Sequence, residues 1–188
     1  PGATIAAPAD AGGRSTGPGL PGFLTGPSSK QPTAIVVGYL KQHLADYGLQ
    51  PGDVDDVVAT KAVTGSDSGA TYVYLQQRHR GIDIDDAIAN AAVMPDGRLI
   101  TLDSTFVGGL AVKVKEARPA IGREVATAKA AQALRLTGTA AFRVVRKIDG
   151  AARAAQMSTG GISLSTIPVR LVYQPTGSGV RLAWDVGI

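Results

Sequence analysis

The stretch TYVYLQQRHRGIDIDDAIANAAVMPDGRLITLDSTF, residues 71–106, decides the fold. Tyr72 to Arg80 is a β-rich run, Ile88 to Val93 is a second, and Arg98 to Phe106 is a third. Gly81 with its acidic neighbours separates the first two, and Pro95-Asp96-Gly97 separates the last two. Asp-Gly supplies the positive φ that tight hairpin turns demand, so the runs are expected to fold back on one another as antiparallel strands.

Upstream, Val54 to Val63 adds another β-rich run, set off by Gly65 to Ala70. Before it, Pro32 and Thr33 open a helix on which Val36, Leu40, Leu44 and Tyr47 recur at spacings of four, four and three, giving one apolar face. Gly48 closes that helix and Leu49 to Gly52 form the turn out. Residues 1–31, with Pro-Gly pairs at positions 1, 18 and 21, read as a flexible Gly/Pro-rich leader. Its bulky residues Leu20, Phe23 and Leu24 are the ones that would anchor such an arm on another surface.

Downstream, Gly108-Gly109 marks a joint, after which the same order recurs. A short strand is expected at Ala111 to Val114, then a helix opened by Pro119 and running to about Leu136, with Ile121, Val125, Ala128 and Leu134 facing inward. Strands follow at Ala141 to Ile148, Arg153 to Met157, Val169 to Gln174 and Val180 to Val186. In the last of these, alternation puts Val180, Leu182, Trp184 and Val186 on one apolar face, which makes Trp184 a core residue. The fold class is therefore α+β, with two modules at 32–108 and 109–188, each a helix packed on an antiparallel sheet.

Composition narrows the function. No cysteine is present, which removes disulfides, thiol nucleophiles and thiolate metal sites. No apolar run approaches the ~18 residues needed to span a bilayer, and no signal-peptide pattern opens the chain, so a soluble protein already free of any export signal is expected. The net charge of +4 conceals a division. Residues 1–110 hold 7 Lys and Arg against 11 Asp and Glu, whereas residues 111–188 hold 12 against 4. A second module of such basicity would be drawn to an acidic partner, or simply carry a solvated basic face.

Catalytic groups are scarce. His43 lies in a helix without H-E-x-x-H around it, and His79 stands between Arg78 and Arg80, two cations that hold an imidazole neutral and repel a metal ion. Asp83, Asp85 and Asp86 offer carboxylates for calcium, but without the Gly and closing Glu of an EF-hand they fit a solvated hairpin flank better. Gly160-Gly161 and Gly177-Ser178-Gly179 lack the Lys-Ser or Lys-Thr of a phosphate loop and read as turns. Arg143, Arg146, Lys147 and Arg153 form a basic patch without interleaved aromatics, which argues against nucleic acid. A hydrolase built on Asp85 or Asp86 is the weakest reading.

Residues 71–106 also resemble the fungalysin/thermolysin propeptide domain, in which an H-V-Y-x-x-Q strand is followed by G-I-x-I, an acidic D-N-A piece, a D-G-R or D-G-K hairpin and a strand ending S-S-F. The matching positions are Val73, Tyr74 and Gln77; Gly81, Ile82 and Ile84; Asp85, Asp86 and Ala87; Asp96, Gly97 and Arg98; and Ser104, Thr105 and Phe106. Tyr72, Asp86 and Asp103 depart from the family pattern, and the D-D-A variant points to the fungalysin branch. The second half resembles a PepSY domain, through the helix Gly122 to Leu136 and the L-x-W pattern at Leu182 to Trp184.

The resemblance implies a secreted propeptide, itself non-catalytic and without a cofactor, that assists folding of a zinc metallopeptidase catalytic domain and inhibits it. The partner would carry the zinc, and neither nucleic acid nor membrane insertion is implied. Arg143, Arg146 and Lys147 are candidate partner contacts, as are Gly187 and Ile188, which are expected to leave the last strand toward the peptidase cleft. A free-standing secreted inhibitor or PepSY-like binding module with another target is the alternative.

Overall fold

A computed structural model describes residues 22–115, 118–138 and 140–188. The chain is α+β, with three α-helices and eight strands among these residues. It divides into two compact units that interleave along the sequence. The first holds the described residues up to Leu49 with Ala59–Leu75 and Ile88–Phe106, and the second holds Gln50–Val58, Gln76–Ala87 and Val107–Ile188.

In the first unit helix α1, Pro32–Gln42, begins with proline, whose missing N–H costs nothing in the first turn. Its apolar face buries Ile35, Val36, Tyr39 and Leu40. A 3-10 turn, Leu44–Tyr47, takes over after His43 and ends at Gly48 in the left-handed conformation, so the apolar period continues past the α-helix itself. Strands β1 (Val58–Thr64), β2 (Thr71–His79), β3 (Ile82–Val93) and β4 (Leu99–Ser104) follow as a meander. Ala89 pairs with Ser104 and Ala91 with Leu102, the antiparallel register set by the Asp96-Gly97 hairpin. Any Cβ on Gly97, at φ +80°, would overlap Ser28. Residues Phe23 and Leu24 lie along β4: the Leu24 N–H donates to Leu99 O at 2.7 Å, and the Arg98 guanidinium sits 3.8 Å over the Phe23 ring. In place of an arm reaching another surface, this segment packs on its own unit; Leu20 and the other leader residues before Gly22 lie outside the described residues.

Strand β3 starts at Ile82, six residues before the sequence suggested. The run Ile82-Asp83-Ile84-Asp85 is itself a period-two pattern, with both isoleucines buried, so the acidic residues are the outward half of a strand and not a loop. Asp86 has φ 55°, and there the inward positions shift from even numbers to Ala87, Ala89 and Ala91. This irregularity falls where β3 passes from one unit to the other.

The second unit is built on β7, Ile167–Thr176. Strand β8, Gly179–Val186, pairs antiparallel with it from Thr176↔Gly179 to Val169↔Val186. On the other edge β6, Ala155–Met157, pairs with Ile167–Val169, and β3 meets it in parallel at Ile84↔Tyr173. Strand β5, Val144–Lys147, lies beyond β6 and bears an open edge. Ala155, Met157, Ile167 and Val169 form the core here, with Phe142, Val144, Ile162, Trp184 and Val186 packed on it. Trp184 is thus a core-packing residue, and its indole N–H donates to Ile121 O at 2.8 Å.

Two expectations are corrected. Residues 111–113 belong to a short helix, α2, Leu110–Lys113, where Asp53 accepts the N–H groups of Gly109 and Leu110; only the following Val114 makes a strand contact, to Val180. Helix α3, Arg123–Ala133, has the expected apolar stripe but turns it outward. Ala126, Thr127 and Ala131 are buried, while Ile121, Val125, Ala128 and Leu134 are exposed. Small side chains let the helix backbone approach the sheet more closely than the larger stripe would permit.

Candidate functional site

The residues of the family signature are mostly interior or turn residues. Val73 and Ile84 are fully buried, Ile82 and Phe106 nearly so, and Leu75 lies between Val73 and Gln77 on the inward face. Gly81, at φ +74°, makes the β2–β3 turn and donates its N–H to Asp56 Oδ2. Asp96 accepts from the Arg98 backbone and side chain, and these bonds, the backbone one first, hold its carboxyl below the usual range. Tyr74 is the exception, half-exposed on the outer face of β2 beside Tyr72.

Gln77 has a distinct role. Its Nε2 donates to Asp53 O at 3.0 Å and Val107 O at 2.9 Å, and its Oε1 accepts from Val107 N at 2.7 Å. Asp53, also buried, accepts from the N–H groups of Gln50, Gly109 and Leu110 at 2.7 to 2.8 Å. The glutamine and the aspartate together hold the Gly108-Gly109 joint. Nothing in the sequence singled out Asp53, because its partners at 109 and 110 are far along the chain; the Pro51-Gly52 turn before it was the one local sign.

The acidic cluster is dispersed by charge pairing. Asp83 bridges Arg78 Nε and Arg170 Nη1, both at 2.6 Å, and Arg170 continues to Asp185 at 3.1 Å. Burial, the largest influence on Arg170, acts to lower its pKa, but its hydrogen bonds to Asp185 and Asp83 prevail and raise it. No group of three potential metal ligands occurs among the described residues. His79 packs edge-on to Tyr173, and burial first, Arg80 second, push its pKa below the ordinary 6.5. A cavity of about 290 Å³ along β6 to β8 is lined by apolar side chains and the Arg170–Asp185 pair, with no nucleophile and base converging on it.

The expected contact residues lie on or beside two different strands of the second unit, β5 and β8. Arg143, Arg146 and Lys147 are exposed on or beside the edge strand β5 and make no ion pair among the described residues. They do not form one cluster. Arg143 pairs with Ser158 through its backbone, at the end of the ladder where β7 begins, whereas Lys147 lies opposite Ala155, ~13 Å farther on at strand spacing. Gly187 remains in the ladder, its N–H donating to Pro168 O at 3.0 Å, so the chain does not leave the strand before Ile188. Arg143 and Ile188 therefore share one end of the β5–β8 ladder. The sequence reading missed a third residue there, Leu164, whose only signal was an isolated large apolar side chain within a Ser/Thr/Gly run.

No described helix is long and apolar enough to cross a membrane. Residues 55–106 match the Fungalysin/Thermolysin Propeptide Motif, a propeptide and not a catalytic motif. Over 127 residues the chain is 30% identical to proteins named Probable extracellular metalloproteinase 4 from Arthroderma benhamiae and from Trichophyton verrucosum. The alignment covers 64% of this chain and 19% of each relative, so the chain spans about a fifth of their length.

Proposed function

We propose that the chain is the propeptide of a secreted fungalysin-type zinc metallopeptidase, which it helps to fold and holds inactive. The observation that carries this reading is the propeptide motif at residues 55–106. The extracellular metalloproteinases it resembles supply the class of partner and the secreted setting. Inhibition requires a pre-organised surface and not reactive groups, which suits this molecule. The PepSY-like second module would face an acidic surface on the peptidase through Arg143, Arg146 and Lys147, and Ile188 would point toward the cleft. Zinc belongs to the partner in this reading.

Titrating a purified fungalysin-type zinc metallopeptidase with the chain tests the proposal. Saturable inhibition that weakens as salt rises is expected. Full peptidase activity at a large excess of the chain would overturn it.

A further inference from the structure

Leu164 is more exposed than any other large apolar residue described, at 108% of its reference area. An exposed leucine on its own is ordinary. This one stands in a connection, residues 158–166, that is longer than the antiparallel pair β6 and β7 needs, and the segment leading up to it is fixed. The Phe142 ring fills the space that a side chain at Gly160 would take, with Gly160 at φ +57°. Two residues on, Ile162 packs against the Met157–Ile167 core. The loop is thus held ahead of Leu164, which projects where it contributes nothing to the fold of its own unit.

Strand register places what surrounds it. Met157 pairs with Ile167, Val144 with Met157, and Val186 with Val169, so this connection, the start of β5 and the end of β8 share one end of the ladder. Gly187 and Ile188 continue past Val186 at that same end, with Ile188 39% exposed. Residues 141–144, 158–167 and 186–188 include no Asp or Glu, the adjoining Asp185 is paired with Arg170, and Arg143 makes no ion pair among the described residues. Two exposed apolar side chains and a cation with no ion pair among the described residues match a protein surface that offers an apolar pocket with a carboxylate at its rim.

We infer that Leu164 is an apolar anchor for the metallopeptidase domain, entering a pocket on it next to the contacts made by Arg143 and Ile188. This rests on the propeptide reading and adds the residue and the end of the fold through which the partner is gripped. Holding the loop at Gly160 and Ile162 reduces the ordering cost of binding, the feature that separates an anchor from a mobile tip.

The test compares the full chain with Leu164→Ser and with Leu134→Ser, a second exposed leucine at the end of α3, against a purified fungalysin-type zinc metallopeptidase. The expected result is inhibition weakened on the order of ten-fold or more by Leu164→Ser, with Leu134→Ser and both melting temperatures unchanged. Equal inhibition by the Leu164→Ser and unaltered chains would overturn the inference while leaving the propeptide reading intact. Equal losses in both variants would also overturn it, by assigning the effect to general surface apolarity. Failure of the unaltered chain to inhibit would remove the propeptide reading and this inference with it.

Discussion

The β2–β3 hairpin and the far end of the β5–β8 ladder carry opposite kinds of information. The hairpin holds many of the residues a family signature is made of, and nearly all of them serve the fold: Val73 and Ile84 in the interior, Gly81 in the turn, Gln77 on Val107 beside the Gly108-Gly109 joint. The ladder end holds Arg143, Leu164 and Ile188, which match no signature and do little for stability. Fold constraints are local and repeated, so they leave motifs. A surface that meets a partner is constrained by the partner, and one chain read alone shows it only as exposure and unpaired charge.

If this division is right, substitutions in the two regions must separate stability from binding. The largest effect is expected at Asp53→Ala, which strips the acceptor from three backbone N–H groups, two of them at the start of α2. A loss of about 3 kcal/mol in the denaturant midpoint analysis is expected, and Gln77→Leu should cost about 2 kcal/mol. A loss below about 0.5 kcal/mol for Asp53→Ala would mean that the joint is held by other contacts.

Reversing Arg143, Arg146 and Lys147 to glutamate should do the converse. Stability should move by no more than about 0.5 kcal/mol, because the three side chains are exposed and make no ion pair among the described residues. Association with the peptidase should slow by about ten-fold at low salt, with release little changed. Because Arg143 alone shares an end with Ile188, Arg143→Glu by itself should account for most of the change. An on-rate indifferent to ionic strength would assign the charge to solubility.

The smallest effect concerns His79 near the hairpin turn. Its pKa is lowered in the folded state, by burial first and Arg80 second, with Asp56 and Asp53 opposing, so the unfolded chain takes up its proton more readily. Its contribution to stability is therefore intact above its ordinary value of 6.5 and lost as pH falls from there toward the folded value. His79→Gln should flatten the fall in urea midpoint below about pH 6.5. An unchanged slope would show that the imidazole titrates alike in both states.

Much of the architecture was legible because period-two runs and Gly-bearing turns are local. Alternation along Val180 to Val186 foretold that Trp184 packs toward the core, against which it is partly buried, and the strands at 71–79 and 99–104 followed from β-rich runs bounded by turn residues. The start of β3 did not, since Asp83 and Asp85 looked like loop residues until Asp83 was seen to pair with Arg170, 87 positions away. Helix α3 shows the limit of periodicity: the stripe at Ile121, Val125 and Ala128 exists, but which side of a helix meets the sheet depends on how close the backbones come, and small residues won. Asp53 and Leu164 were illegible for opposite reasons. One acts on residues distant in sequence, and the other acts on nothing in its own fold.

Hydrogen exchange on the chain bound to a fungalysin-type zinc metallopeptidase tests the division most directly. Protection gained at residues 158–166 and 186–188, with exchange along 71–79 unchanged from the free chain, is the predicted outcome. Protection confined to 71–79, with residues 158–166 exchanging as freely as before, would contradict the account and move the contact surface to Tyr72 and Tyr74.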